Sequence, residues 1–207
     1  MGVFLGNLLL AQLCEALPHG MYVPSELEAL YMWIEANGFY DDIYGRRRGY
    51  LYPQDQLRQS WSDGKRDGGT EIVFFTDELK NRDKTLRYWF YGKDRELAAE
   101  IEQRLCVFAR SGSDGSMCAL WINDAGETKI VHMGSGSGST MTCVLAHNGL
   151  DFLRLIAIGY DEICWDENFS MPPNSDGGDF IVHPNVEFQQ WIKDICLKRL
   201  SLKQRLD

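Results

Sequence analysis

Apolar side chains recur along this chain with two different periods, and the switches between them mark out its elements. Over residues 3–17, Phe4, Leu8 and Ala11 fall on one face at helical spacing, and Pro18 with Gly20 ends the run. A second helix follows Ser25, with Leu27, Leu30, Tyr31 and Ile34 as its buried stripe. Ser25 and Glu28 have the spacing of a capping box, in which hydroxyl and carboxylate satisfy reciprocal backbone donors, and Gly38 stops the helix. Residues 39–69 follow neither period. They hold the run Arg46, Arg47 and Arg48, then Pro53, then a turn-rich stretch, and they read as a surface excursion.

Beyond that excursion the pattern predicts a sheet. Residues 71–76 and 87–91 are short, β-branched or aromatic runs bounded by polar turns, the signature of strands. Leu97, Ala98, Ile101 and Leu105 return to the helical period. Strands at 106–109, 117–123 and 128–132 follow, separated by turns rich in Gly, Asn and Asp, which tolerate the positive φ of tight hairpins. These three should form an antiparallel meander. Residues 147–158 are apolar on nearly every side of a helical wheel, which predicts a central, buried helix stopped by Gly159. The last helix opens near His183, Pro184 and Asn185 and repeats Phe188, Trp191, Ile192 and Ile195, with Lys193, Lys198 and Arg199 suited to its C-terminal end. With no internal repeat and no second core, the expected fold is α/β (α+β): one domain over residues 1–207, a mixed, largely antiparallel sheet flanked by helices.

Composition supports an ordinary globular chain: 44% of the 207 residues are hydrophobic and 25% charged. Charge changes the picture more. The net charge is −9, which opposes direct binding to a phosphate backbone and so argues against nucleic acid as a ligand. Residues 151–183 hold seven acids, Asp151, Asp161, Glu162, Asp166, Glu167, Asp176 and Asp179, against Arg154 alone. A basic partner would be steered there. Six cysteines stand singly and read as reduced core thiols. The first apolar run lacks the basic leader and cleavage site of a secretory signal, and no stretch approaches the length that spans a bilayer, so the expected location is the cytoplasm with no membrane partner.

Candidate chemistry is sparse. Cys143 and His147, joined by His132 and Asp151, are the best constellation for a thiol nucleophile, but a four-residue offset brings thiol and imidazole together only on one helix turn, and Cys143 sits in the strand-like run 142–146. A packed cysteine is the better reading. A metal site from Cys143, His147 and Cys164 has irregular spacing, so no metal and no cofactor is expected. The Gly/Ser run at 134–139 has no lysine and reads as a flexible turn, not a phosphate cradle. Arg46 to Arg48, with Asp41 and Asp42 nearby, read as a solvated loop. The acids at 161–167 differ, because Ile163, Trp165 and Phe169 interleave them, and carboxylates around aromatic anchors suit an interface.

Several runs together resemble bacterial members of the SUKH superfamily: residues 116–123 (SMCALWIN), 129–135 (KIVHMGS), 144–146 (VLA), above all 151–162 (DFLRLIAIGYDE), then Trp165 and 183–191 (HPNVEFQQW). The resemblance is clearest over residues 104–197. It implies a SUKH-like fold and a non-catalytic immunity protein that binds and neutralises a cognate secreted polymorphic toxin domain, often a nuclease. The toxin-binding residues expected from composition and resemblance together are Asp161, Glu162, Trp165, Asp166 and Glu167, with Asp77 and Glu78 as a second rim. A regulatory or scaffold role on the same fold, and a Cys143/His147 hydrolase, are the alternatives. Oligomeric state is left open.

Overall fold

The computed structural model describes residues 6–59, 65–76, 95–166, 169–175 and 181–203. Two short helices come first, α1 (Leu8–Ala16) and α2 (Ser25–Ala36). The buried positions of α1 are Leu9, Leu10, Gln12, Leu13 and Ala16, while Leu8 is exposed, so the face containing Leu8 and Ala11 is not the one that packs. An almost wholly apolar helix gives a wheel no contrast, and its docking angle selects the stripe. On α2 the stripe Leu27, Leu30, Tyr31 and Ile34 is buried as the spacing predicts. The helix begins one residue earlier than the capping box requires. Pro24 is the N-cap, its carbonyl accepts from Leu27 and Glu28, and the Ser25 hydroxyl lies 3.2 Å from Glu26.

The excursion at 39–69 is structured, which corrects the sequence reading. It holds β1 (Tyr40–Ile43), β2 (Arg46–Gly49), helix α3 (Gln54–Gln59) and β3 (Lys65–Asp67). Tyr44 and Gly45 join β1 to β2 with φ of 51° and 77°, the paired positive values of a two-residue hairpin turn. The strand expected at 71–76 shortens to β4 (Val73–Phe74), and the one expected at 87–91 lies outside the described residues. Helix α4 (Arg95–Glu102) precedes the meander β5 (Leu105–Arg110), β6 (Met117–Ile122), β7 (Thr128–Met133) and β8 (Thr142–Ala146). Helix α5 (Gly149–Ala157), strand β9 (Ile181–His183) and helix α6 (Val186–Lys203) complete the order.

Among the described residues seven strands form one antiparallel sheet in the order β1-β2-β4-β5-β6-β7-β8, and none of its pairings there is parallel. The parallel pairing sits apart, where β3 meets β9 in a two-stranded ribbon. One face of the sheet packs on α1, α2, α5 and α6 through Leu13, Leu30, Tyr31, Phe108, Leu120, Phe152, Ile156 and Phe188. The opposite face carries a smaller cluster, Leu105, Val107, Ala119 and Met133, with Ile101 of α4 against it. Central β5 is therefore buried on both sides, and Tyr31 donates its hydroxyl to the Phe108 carbonyl at 3.1 Å. Helix α5 is amphipathic, not buried all round: Phe152, Leu153 and Ile156 face the core, while Arg154 and Ile158 are exposed. Asn148 caps its start and Gly159, at φ 101°, ends it. Asn185, following Pro184, caps α6 by accepting from Phe188.

Candidate functional site

Three connections converge at one end of the sheet: the β5–β6 turn, the β7–β8 turn, and the segment after α5. Ser111 accepts from Ile163 at 2.9 Å through its carbonyl, which ties the first connection to the third. Gly112 lets the chains approach, since a side chain there would meet the Cys164 sulfur. Glu162 then clamps the contact. One of its oxygens accepts from the Ser113 amide (2.9 Å) and hydroxyl (3.0 Å), and the other from the Trp165 indole N–H (2.5 Å). Asp161 forms an ion pair with Arg66 at 2.8 Å, in the β3–β9 ribbon, and accepts the Glu71 amide through its carbonyl.

Two of the acids expected to face a partner are thus occupied within the fold. Asp161 holds the ribbon to the segment, and Glu162 holds Ser113 and Trp165. Asp166 is exposed, and Trp165 is half-buried with its ring orientation fixed by Glu162. Glu167, Asp77 and Glu78 lie outside the described residues. Phe169 and Met171 follow as exposed apolar side chains, with the Tyr160 ring 6.2 Å from Phe169 and its hydroxyl donating to the Met171 carbonyl.

The second half of this end is a carboxylate cage. Asp114 accepts from the Ser116 amide (2.9 Å) and hydroxyl (2.7 Å), the Ser135 hydroxyl (2.8 Å) and the Ser139 amide (2.9 Å). Burial raises the Asp114 pKa, yet these hydrogen bonds favour the charged form more strongly and bring it down to about 2. The Gly/Ser run is therefore tied to Asp114 and does not behave as a flexible turn. Sequence reading missed this constellation. Its one signal was a lone acid in a Ser/Gly turn adjoining, in the meander, a second Ser/Gly turn rich in donors.

Beneath the cage, Ser111 and His132 are fully buried, with Oγ and Nε2 2.9 Å apart. His132 Nδ1 lies 3.0 Å from the Met141 carbonyl, which only accepts, so Nδ1 carries the proton and Nε2 accepts from Ser111. Burial lowers the His132 pKa and keeps the ring neutral. A serine and an imidazole in this arrangement are the parts of a nucleophile and base, but both have no exposed surface for a substrate to reach. Cys143 lies opposite His132 in the ladder, whereas His147 follows the end of β8. Cys143 is an exposed residue, not the packed cysteine the sequence suggests, and the partial burial that remains raises its pKa, the opposite of what an activated thiolate needs. Among the described residues no group of three His, Cys, Asp or Glu side chains is placed to hold a metal ion.

An open groove of about 450 Å³ lies elsewhere, between α1, α2 and β1, lined by Asn7, Leu10, Met32, Glu35, Tyr40 and Arg47. Its charges answer one another. Arg47 pairs with Asp42 through two bonds of 2.9 Å, reaches Glu35 at 3.3 Å and stacks 3.8 Å over the Tyr40 ring. No helix among the described residues is long and apolar enough to cross a membrane. No family model matches the chain, and neither does any curated protein or solved structure.

Proposed function

We propose that this protein is a cytoplasmic, non-catalytic immunity protein of the SUKH type that binds and neutralises a cognate secreted toxin domain, a basic nuclease. The observation that carries the reading is the Glu162 clamp. It fixes an aromatic side chain beside an exposed acid in a segment tied at its start to two neighbours, by Glu162 to Ser113 and by Asp161 to Arg66. A preorganised anchor loses little conformational freedom on binding, which is what a tight inhibitor needs. Net charge of −9 speeds encounter with a basic domain. In this reading Trp165 and Asp166 make the contact, and Asp161 and Glu162 position them.

The test is calorimetric titration of the purified protein with the toxin domain encoded beside it. Trp165→Ala should weaken binding at least a hundredfold, in keeping with a central aromatic anchor of about 3 kcal/mol. Asp166→Lys should slow association and weaken its salt dependence. A double Asp161→Lys, Glu162→Lys variant is a poor probe, because it would break the ribbon and the turn before it reported on a partner. Wild-type affinity in both Trp165→Ala and Asp166→Lys, with the fold intact, would overturn the assignment.

A further inference from the structure

Among the described residues the sheet ends at β8, and hydrogen-bond alternation along that strand fixes which backbone groups reach its outer edge. The Gly134 amide donates to the Met141 carbonyl at 2.8 Å, so these two form a hydrogen-bonded pair of the antiparallel ladder. The register continues Met133↔Thr142, His132↔Cys143 and Val131↔Val144. Strict alternation then makes His132 and Cys143 a hydrogen-bonded pair, while Thr142 and Val144 are not bonded to β7. Their N–H and C=O groups point outward, away from the sheet. Thr142, Cys143 and Val144 are all exposed, Val144 by 51%.

Edges of this kind are normally blunted by charge, proline or a bulge. The run Thr142–Ala146 has no charge and no proline, and its one register shift falls at Leu145, past the exposed residues. What the edge offers is also symmetric. Two residues of like β-branched shape, each with one outward donor and one outward acceptor, flank Cys143.

We propose that β8 pairs antiparallel with β8 of a second copy of this chain, about a two-fold axis at Cys143. Thr142 then exchanges two N–H···O bonds with the partner's Val144, and Val144 two with the partner's Thr142, which satisfies every outward group of this stretch. The two Cys143 residues meet as a non-hydrogen-bonded pair, with Cα atoms about 4.5 Å apart. Each copy carries −9, so the uncharged strand is where a second copy meets the least opposition, and added salt should strengthen the association. A contact this small makes a weak, concentration-dependent dimer. None of this depends on the toxin-binding reading, whose electrostatics run the other way: salt weakens capture of a basic domain and strengthens pairing of two acidic copies.

The experiment is sedimentation equilibrium on the full chain under reducing conditions, from about 10 µM to about 1 mM, the range where small interfaces operate. The expected result is a rise toward twice the monomer mass of 23.7 kDa at high concentration, steeper in added salt. Val144→Lys places a charge at an exposed position and should weaken the dimer at least tenfold, with its thermal melt unchanged as the check on folding. In a Cys14→Ser, Cys196→Ser background, a short bismaleimide should join two chains through Cys143. A monomer throughout the range overturns the proposal, as does a dimer that Val144→Lys leaves untouched or that fails to link through Cys143. Hydrogen-exchange protection of Thr142 and Val144 that appears only when toxin is added overturns it too, and assigns the edge to the toxin.

Discussion

The two edges of the sheet are built by opposite means. At one edge, the Tyr50 amide donates to the Phe39 carbonyl, and the same alternation turns the backbone of Asp42 outward. That outward residue carries a carboxylate, held by Arg47 directly across the ladder. An incoming strand would have to strip water from that ion pair. At the other edge the outward residues, Thr142 and Val144, carry no charge. The hairpins behind them differ as well: Tyr44 and Gly45 close β1–β2 by backbone conformation alone, whereas the long β7–β8 connection is held by the carboxylate of Asp114. One edge is closed by local rules and guarded; the other is shaped by a distant side chain and left open.

The sharpest way to break the contrast is to remove the cage. Asp114→Ala should cost about 2–3 kcal/mol in urea unfolding, a few charge-assisted hydrogen bonds discounted for partial exposure, and should expose the Ser116 and Ser139 amides to exchange. Because folding lowers the pKa of Asp114, its contribution is whole above about pH 4 and is lost as pH falls toward about 2. Asp114→Asn should flatten that acid limb of the stability curve. An unchanged limb would mean that the turn is held by something other than this carboxylate.

His132 comes next. Its buried ring is held neutral, so stability is full above about pH 6.5, the value for a free imidazole, and declines as the pH drops below it. His132→Phe should remove that decline while costing about 1–3 kcal/mol, since it leaves the buried Ser111 hydroxyl without its acceptor. Stability curves of the two proteins between pH 5 and 8 decide it, and parallel curves would show that the ring does not titrate against folding.

How much of this was legible in the sequence follows the same division. The stripe on α2 shows in the order of residues because its apolar positions keep the helical period, and the meander shows because its short apolar runs are bounded by turns rich in Gly, Asn and Asp. The β1–β2 hairpin did not show, because Arg46 to Arg48 and Asp41 with Asp42 place charges on both faces and erase the alternation that marks a strand. Its turn was hidden by Tyr44, a residue with no preference for positive φ. At the candidate site, composition picked out the segment containing Trp165 but not the division of labour within it. That Asp161 and Glu162 serve the fold depends on Arg66 and Ser113, 95 and 49 residues away, and no local pattern announces such partners.

Tyr44 gives a smaller effect, of opposite sign. Its side chain is fully exposed and its φ of 51° is left-handed, so it contributes strain without packing. Tyr44→Gly, or Tyr44→Asn, should raise stability by about 1 kcal/mol and leave any association through β8 unchanged. Thermal unfolding reads the first, and sedimentation the second. A destabilised variant would show that the exposed ring shields the guarded edge and that the turn is not closed by backbone alone.

The smallest effect on stability tests the guard itself. Asp42→Val removes an exposed ion pair, and Arg47 keeps Glu35 at 3.3 Å, so unfolding should shift by less than about 1 kcal/mol. Its consequence for association should be larger than its consequence for folding. The β1 edge would then present an uncharged, outward-facing β-branched residue, as β8 does at Val144, and the protein should gain a second mode of self-association that Val144→Lys does not suppress. Light scattering of Asp42→Val and of Asp42→Val with Val144→Lys separates the two modes. If the double variant is monomeric, the β1 edge is closed by its geometry and not by its charge, and the two edges differ in shape before they differ in chemistry.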